Sequence, residues 1–381
     1  MEVEFQLLDC DYIILDNAPI VRLFGKTEDG KSICAFYKGH YPFFYVLPKS
    51  TSENVKDLIK KKFTNLIFRI EEVDKFLPIG YQKNKTKMLK IVLKDPSRVP
   101  EIRDSLEKEK YVQEIYEADI LFRYRFLSDY GLSGHKWIKV TGTPTPTSTV
   151  KTNIKIEADR IEEIEKQNNA VLRYLAIDIE TISNVGVPDA RKDIIGMISL
   201  SFEPEFSKHK NIVLVSKNIR KPESNVKTFY NEKEMLSEFL KILEAYDPDI
   251  IAGYNINGFD FPYILERLKR NNLPTTLGRC NEKPAQSRKF SVYYRNTATG
   301  RVIVDPYLLI KEAIQKSNLR LKRLGLGDVA KALLNDDKVN VSHSEITTFW
   351  NGTDEQINKL VRYAEKDAKL VLDLLKKMNF L

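Results

Sequence analysis

The chain has 381 residues, 42% of them hydrophobic, which is enough for two hydrophobic cores and predicts two domains. Its 61 Lys and Arg residues outnumber its 53 Asp and Glu residues and leave a net charge of +8. This modest excess is compatible with a polyanionic partner, but many lysine-rich proteins share it. No apolar run approaches the roughly 20 residues of a membrane-spanning helix, which excludes an integral helical membrane protein.

Two further features concern the compartment. The acidic amino terminus, Met-Glu-Val-Glu, lacks the basic and apolar segments of a signal peptide. The three cysteines lie far apart without a C-x-x-C pair, which favours a reducing compartment and argues against a structural zinc site. The sequence therefore predicts a soluble, cytoplasmic protein without a membrane partner.

Residues 1 to about 135 are predicted to form a compact α+β unit. Strand patterns occur at residues 11–15, 20–24, 33–37, 42–47, 66–70, 88–93 and 111–116. The Asp29-Gly30 pair favours a hairpin turn, and Ser52 is the expected N-cap of a helix that runs to about residue 62. A second, short helix is expected from about Pro100. The cationic loop at 82–87 is either a solvated hairpin tip or a surface that lies on phosphates.

The composition changes between residues 136 and 170. Residues 141–150 are rich in Thr and Pro, which disfavours regular structure and predicts an exposed connection. Residues 156–166 are expected as a charged surface helix or an ordered insert. We therefore place an amino-terminal domain at 1–140, a linker or insert at 141–170, and a second domain at 171–381.

An apolar run at residues 172–181 carries two carboxylates, Asp178 and Glu180. Alternate side chains of a strand leave on the same face, so both acids would project together while Ile177 and Ile179 face a core. Adjacent acids at the end of a buried strand repel each other and need a counter-charge, which a divalent metal ion supplies. The alternative is a strand that runs out into a solvated acidic loop.

The rest of the second domain is predicted as α/β. Strands at 194–202 and 212–215 would continue the first as an antiparallel meander of a mixed sheet, followed by a helix at 232–246 and a buried strand at 250–255. The loop after such a strand is where α/β sheets place ligands. Asp260 lies in this loop, before a helix at 262–270, so its carboxylate is an N-cap, a functional group, or both.

A helix from residue 357 to about 378 has an apolar stripe between Leu360 and Leu375. Asp367 lies beside that stripe, and Tyr363 lies one turn earlier on the same face. A carboxylate that faces a core is costly unless it is paired or bound to a metal. Taken alone, the two residues also fit a buried hydrogen bond and a solvated acid.

Together these segments resemble the three motifs of the DEDD exonucleases in their tyrosine-containing branch: Asp178-x-Glu180, Tyr254-Asn255 with Asp260 before Phe-Pro, and Tyr363-x-x-x-Asp367. Over essentially all 381 residues, the chain is similar to the amino-terminal and proofreading domains of archaeal family B DNA polymerases. The resemblance implies a combination of α/β and α+β folds. A ribonuclease H-like exonuclease domain with a mixed sheet would follow a small α+β amino-terminal domain.

The resemblance also implies a chemistry, the removal of 3′-terminal nucleotides by two-metal-ion phosphodiester hydrolysis. Asp178, Glu180 and Asp367 would hold a first Mg²⁺ or Mn²⁺ ion, with Asp178 bridging to a second ion and Asp260 supporting that ion through water. Tyr363 would orient the attacking water. The residues expected to contact the DNA strand are Thr181, Tyr254, Asn255 and Phe259. The expected substrate is single-stranded or frayed primer-template DNA, and the product is a nucleoside 5′-monophosphate.

The amino-terminal unit of archaeal relatives captures template uracil, which implies a second function. The residues that match this pocket are Tyr12, Pro42, Pro96, Val99 and Phe122, while Leu121 stands where relatives commonly have proline. The alternative is that these prolines and aromatic residues only pack a small core.

After the third motif the chain lacks the palm, fingers and carboxyl-terminal segments of full-length family members, so we expect no polymerase activity from it. The remainder of the polymerase is expected in the same full-length chain or as a second subunit. Three functions follow: a proofreading 3′–5′ exonuclease, which we favour, a template-strand uracil-sensing DNA-binding module, and a scaffold subunit of a split polymerase.

Overall fold

The computed structural model describes residues 1–49, 51–183, 186–220, 222–290, 293–316, 320–336, 341 and 343–379. The chain forms two compact units. The first comprises Met1–Thr147 and Thr152–Ala170, and the second comprises Ser148–Lys151 and Val171–Leu381. Most of the segment expected as a linker or insert, 141–170, therefore folds within the first unit.

The first unit contains nine strands and three α-helices among its described residues. The strands are β1 (Glu2–Leu15), β2 (Ala18–Thr27), β3 (Ser32–Tyr37), β4 (Phe43–Pro48), β5 (Ile67–Lys75), β6 (Thr86–Leu93), β7 (Val112–Tyr116), β8 (Trp137–Pro144) and β9 (Ile154–Ile164). The helices are α1 (Ser52–Phe63), α2 (Val99–Leu106) and α3 (Phe122–Asp129), and a 3-10 turn covers Pro96–Arg98. The predicted strands are confirmed as elements, although β1 begins well before residue 11.

A closed barrel in the order β1-β2-β3-β9-β8 forms one half of this unit. Of the two alternatives for 156–166, the charged surface helix is wrong, because residues 156–164 lie in β9, which pairs parallel with β3 and antiparallel with β8. The physical reason is the period of two in its apolar residues: Ile154, Ile156 and Ala158 pack into or against the barrel core. Residues 141–144, expected as irregular, are the end of β8.

The other half is a four-stranded sheet in the order β5-β6-β4-β7, with a βαββαβ arrangement of its elements. Helices α1 and α2 cover one face of it, with Val55 and Ile102 buried against Phe44 and Leu89. The expected cap of α1 is wrong. Thr51 precedes the helix, Ser52 is its first residue, and the cap position makes no side-chain hydrogen bond.

His40 is buried in this unit, 8% exposed, with its ring centroid 5.2 Å from those of Phe122 and Phe126. Burial, together with the nearby charges of Lys90 and Arg125, lowers the pKa of His40 from 6.5 to about 4. Between these two pH values the unfolded chain binds a proton that the folded chain does not. The stability of the first unit is therefore expected to fall as the pH drops through this window.

Replacing His40 with Gln should remove this acid sensitivity. We expect the wild type to lose up to about 3 kcal/mol more unfolding free energy than His40→Gln between pH 7 and pH 4. Urea unfolding followed by the fluorescence of Trp137, in a Trp350→Phe background, reports on the first unit. An identical pH dependence in both proteins would contradict the prediction.

The second unit contains eight strands and six helices among its described residues. The strands are β10 (Tyr174–Ile182), β11 (Ile194–Phe206), β12 (His209–Val215), β13 (Val226–Thr228), β14 (Ile250–Ala252), β15 (Gln286–Phe290), β16 (Tyr293–Thr297) and β17 (Val302–Val304). The helices are α4 (Glu232–Tyr246), α5 (Asp260–Arg270), α6 (Pro306–Gln315), α7 (Leu326–Leu334), α8 (His343–Trp350) and α9 (Asp354–Lys377).

The main sheet of this unit is mixed, in the order β13-β12-β11-β10-β14-β17. Strands β10, β11 and β12 are antiparallel, which confirms the predicted meander, whereas β14 pairs parallel with β10 and with β17. The predicted α/β character is confirmed. Strand β14 covers only the first part of the predicted stretch 250–255, so residues 253–259 are free to form a loop at the sheet edge.

The two faces of β10 pack against different helices. Leu175, Ile177 and Ile179 belong to a core shared with α4 and α5. Tyr174 and Ala176 pack instead with Val371, Leu372 and Leu375 of α9. Helix α9 begins at a capping box made by Thr353 and Gln356, which explains why it starts before the predicted residue 357.

All three cysteines are buried and form no disulfide. In the described part of the chain, no helix combines the length and the apolar character needed to cross a membrane.

Candidate metal centre

Three carboxylates meet between β10 and α9. Asp178, Glu180 and Asp367 each offer one oxygen atom, and these oxygens lie within 4.8 Å of one another. Glu180 and Asp367 are only 6% and 4% exposed. Ala176 of β10 packs with the end of α9. Asp178 and Glu180 lie on the same face of β10 as Ala176, further along the strand, and therefore face earlier turns of α9. The strand alternation and the helix stripe thus bring the predicted acids together.

The strand register near the acids is interrupted by a β-bulge. Glu180 pairs with Met197 and Thr181 with Ile195, so Gly196 of β11 has no partner residue on β10. A Cβ atom at position 196 would lie 2.8 Å from the side chain of Ile182, which only glycine avoids. Bulges of this kind commonly re-aim side chains next to functional sites.

Tyr363 lies beside the three carboxylates, one turn before Asp367 on α9. Its hydroxyl is hydrogen-bonded to Asp367. Burial, followed by the negative charges of Asp367, Glu180 and Asp178, raises the pKa of Tyr363 well above its usual value of 10. The hydroxyl therefore stays protonated at neutral pH, donates its hydrogen bond to Asp367, and keeps its oxygen lone pairs as acceptors at the site.

The Asp260 side chain is hydrogen-bonded to the backbone of β10 at Ile179, the residue between Asp178 and Glu180. It is 4% exposed, and its Oδ1 accepts a hydrogen bond of 3.2 Å from the backbone N–H of Ile179. Burial raises the pKa of Asp260 from 3.8 to about 7, and the charge of Asp305 adds to the effect. Asp260 is not one of the three carboxylates within 4.8 Å. It is also not the N-cap of α5, because Phe259 holds that position and Asp260 is the first helical residue.

Asp305 was not predicted, although it organises the loop at 253–259. Its carboxylate accepts hydrogen bonds from the backbone N–H groups of Asn255, at 2.9 Å, and Asn257, at 3.1 Å. It also caps α6 through the N–H of Tyr307. An Asp-Pro pair after a short apolar strand is a sequence signal for this cap. The loop contact depends on β14 and β17 being neighbours, which the local sequence does not show.

The residues expected to contact DNA differ in accessibility. Asn255 is exposed and has a positive φ of 63°, and Phe259 is half-buried with its ring 5.3 Å from that of Tyr263. Thr181 is buried, 8% exposed. The Tyr254 hydroxyl donates to the carbonyl oxygen of Leu324 at 2.5 Å, which engages that hydroxyl inside the unit.

The residues matched to a uracil pocket lie in the first unit. Tyr12 and Phe122 contact each other edge to face, with ring centroids 5.1 Å apart. Pro42 and Pro96 are buried, and Val99 is partly buried against the core below α2. Leu121 has φ −60° and ψ 134°, a backbone conformation that proline adopts without strain.

A family model described as "DNA polymerase family B, exonuclease domain" matches residues 113–324, more than half of the chain. The chain belongs to DNA polymerase family B. The matched segment contains Asp178, Glu180 and Asp260 of this family B chain, while Tyr363 and Asp367 lie after its end.

Similar proteins include family B polymerases from archaea and a polymerase from a plant. A DNA polymerase of Thermococcus kodakarensis is 30% identical to this chain, and the match covers 97% of this chain and 19% of the relative. The DNA polymerase delta catalytic subunit of Arabidopsis thaliana is 29% identical, and the match covers 99% of this chain and 39% of the relative. The family B polymerase structure from Pyrobaculum calidifontis has a TM-score of 0.81 at 24% identity, and covers 98% of this chain and 46% of that chain. The chain thus spans less than half the length of these relatives, and this structure shares its fold.

Proposed function

We propose that this chain is the amino-terminal and proofreading part of a family B DNA polymerase and that it removes 3′-terminal nucleotides from DNA by hydrolysis. The observation that carries the proposal is the meeting of Asp178, Glu180 and Asp367 within 4.8 Å, from two elements far apart in the sequence. The exonuclease-domain match over residues 113–324 supports it. We further propose an amino-terminal domain for the first unit and the exonuclease domain for the second.

The donor set fits a hard divalent cation. Three largely buried carboxylates repel one another, and a cation relieves that repulsion. Carboxylate oxygens are the ligands that Mg²⁺ and Mn²⁺ prefer. Asp178, Glu180 and Asp367 would hold the first ion, with Asp178 shared with a second ion that Asp260 supports. Bound metal would supply an activated water and stabilise the charge on the attacking and leaving oxygens.

The surrounding residues position the water and the strand. Tyr363 lies beside the three carboxylates and is hydrogen-bonded to Asp367, so its hydroxyl oxygen would orient the attacking water. Asn255 offers its exposed amide to the DNA backbone, and Phe259 presents a half-buried ring to a terminal base. Such a site takes a single-stranded or frayed 3′ end, because the terminal nucleotide must leave the duplex to reach buried carboxylates.

Replacing Tyr363 with Phe tests the positioning of water. Phe keeps the packing of the ring against its partly buried surroundings but removes the hydroxyl. We expect kcat to fall about 100-fold, as for the loss of a group that positions a reactant, with little change in KM. Manganese affinity should stay near the wild-type value, since no carboxylate is lost. A matching loss of manganese affinity would show a structural role instead.

The nuclease activity is tested with the full chain and single-stranded DNA that is labelled at its 3′-terminal nucleotide. With Mg²⁺ or Mn²⁺ we expect stepwise release of labelled nucleoside 5′-monophosphate, and none after addition of EDTA. Release of oligonucleotides, or activity that is unchanged by EDTA, would contradict the proposal. A blocked 3′ end provides the matched control, because it should stop release without altering binding.

The uracil-sensing function stays a prediction, and the contact of Tyr12 with Phe122 supports it. Burial, followed by the negative charge of Asp95, raises the pKa of Tyr12, and Pro96 directly follows Asp95 in the chain. Equal affinity for uracil-containing and thymine-containing strands would remove this function. The scaffold function also stays a prediction, and we propose the remaining polymerase domains as the partner.

A further inference from the structure

The hairpin between β5 and β6 ends in a strongly cationic tip that the proposed nuclease site does not use. Residues 75–87 contain four lysines, Lys75, Lys83, Lys85 and Lys87, and no acidic residue. Strands β5 and β6 pair up to Lys75 and Thr86, so the loop between them projects from the end of the four-stranded sheet. Such an unbalanced charge favours a polyanionic partner.

The loop at this tip is held in a defined conformation by hydrogen bonds of one side chain. The Gln82 side chain accepts a hydrogen bond of 2.6 Å from the N–H of Leu77 and donates to the carbonyl oxygens of Leu77, at 3.1 Å, and Ile79, at 2.9 Å. Gly80 takes a positive φ of 81°, which closes the turn. One amide side chain therefore fixes the loop from the inside and leaves the other side chains free to point outward.

The side chains that point outward are large and apolar. Tyr81 is 98% exposed, Ile79 88% and Phe76 55%. The ammonium group of Lys85 lies 5.7 Å from the centre of the Phe76 ring, so a cation and an aromatic face are presented side by side. Rings interleaved with lysines are the combination that binds single-stranded nucleic acid, because bases stack on the rings while phosphates meet the cations.

We propose that the β5–β6 hairpin tip is a second contact for single-stranded nucleic acid, in which Tyr81 stacks on a base and Lys83 and Lys85 bind adjacent phosphates. The charge of Lys83 and Lys85, which lie in the loop itself, favours a nucleic acid over an apolar protein partner, whereas Lys87 lies opposite Asp74 in the strand pairing. The choice of DNA over RNA rests on the proposed exonuclease function.

The test is fluorescence anisotropy of a labelled single-stranded DNA with the full chain in EDTA, so that binding is measured without cleavage. We expect the double variant Lys83→Ala/Lys85→Ala to bind about tenfold more weakly near 0.1 M salt, and its slope of log affinity against log salt to be smaller by about 1.4. The matched control is Lys61→Ala/Lys108→Ala, which removes the same charge from two exposed positions elsewhere in the first unit. It should bind like the wild type.

The aromatic contact has its own variants. Tyr81→Ala is expected to weaken binding about 5- to 100-fold with an unchanged salt slope, whereas Tyr81→Phe keeps the ring and should bind like the wild type. Equal affinities for the hairpin and control double variants would overturn the proposal, as would a Tyr81→Ala variant with wild-type affinity. Tighter binding of RNA than of DNA would overturn the choice of DNA. Failure here would leave nucleotide release unaffected, so the two proposals fail separately.

Discussion

The Asp178→Ala variant is expected to release 3′-terminal nucleotides about a thousandfold more slowly than the wild type. Asp178 is one of the three carboxylates within 4.8 Å and the one that we assign to both metal ions. Metal ions contribute several kcal/mol to the stabilisation of such a transition state, and each 1.36 kcal/mol corresponds to a factor of about 10 in rate. The fold should survive, because the substitution removes one of three mutually repelling charges.

The measurement is single-turnover release of a 3′-terminal label, together with thermal unfolding to verify the fold. Asp373→Ala is the matched control, since Asp373 lies on α9 as Asp367 does but forms a surface ion pair with Lys369. It should keep the wild-type rate. An Asp178→Ala variant that retains activity within a few-fold of the wild type would refute our assignment of the site.

Arg279→Met is expected to destabilise the second unit by about 3–5 kcal/mol, the usual cost of removing one partner from a buried ionic network. The Arg279 side chain is fully buried and lies between Asp247, at 2.9 Å, and Asp249, at 2.5 Å. Asp249 is itself fully buried, so the substitution leaves its charge without the guanidinium. Asp247 keeps Arg301, whose Nη1 is 2.8 Å away.

Urea unfolding followed by the fluorescence of Trp350, in a Trp137→Phe background, measures this loss in the second unit. The control Arg191→Met removes an exposed arginine whose ion pair with Asp189 lies on the surface, and should change stability little. Since Asp249 directly precedes β14, Arg279→Met should also disturb the loop at 253–259, which carries Asn255 and leads into Asp260 at the start of α5. An Arg279→Met variant as stable as the control would show that the network is dispensable.

The elements that carry the metal centre could be predicted because their patterns are local. The alternation around Asp178 and Glu180 specifies a strand with one face toward a core, and the stripe beside Asp367 specifies one face of a long helix. Helix α4 was predicted with the residues that the structure shows, because Asn231 caps its start and Asp247 in a left-handed conformation ends it.

Features that depend on distant partners could not be predicted in this way. The charged residues of 156–166 suggest a surface helix; the alternation of Ile154, Ile156 and Ala158 fits a strand, but the partner that stabilises this strand, β3, lies more than 100 positions away. The sequence around Asp260 is typical of a helix cap, but the Asp260 carboxylate accepts a hydrogen bond from the N–H of Ile179 on β10. This N–H has no partner on β14, because the pairing of β14 with β10 ends at Ala176. The role of Asp305 likewise follows from the sheet order.

The claim that Asp178, Glu180 and Asp367 form one metal site is tested most directly by manganese binding, measured by electron paramagnetic resonance. Wild type, Asp367→Asn and the control Asp373→Asn would be compared under the same conditions. We predict that Asp367→Asn binds Mn²⁺ at least about tenfold more weakly than the wild type, while Asp373→Asn is unchanged. Wild-type affinity in Asp367→Asn would contradict the account.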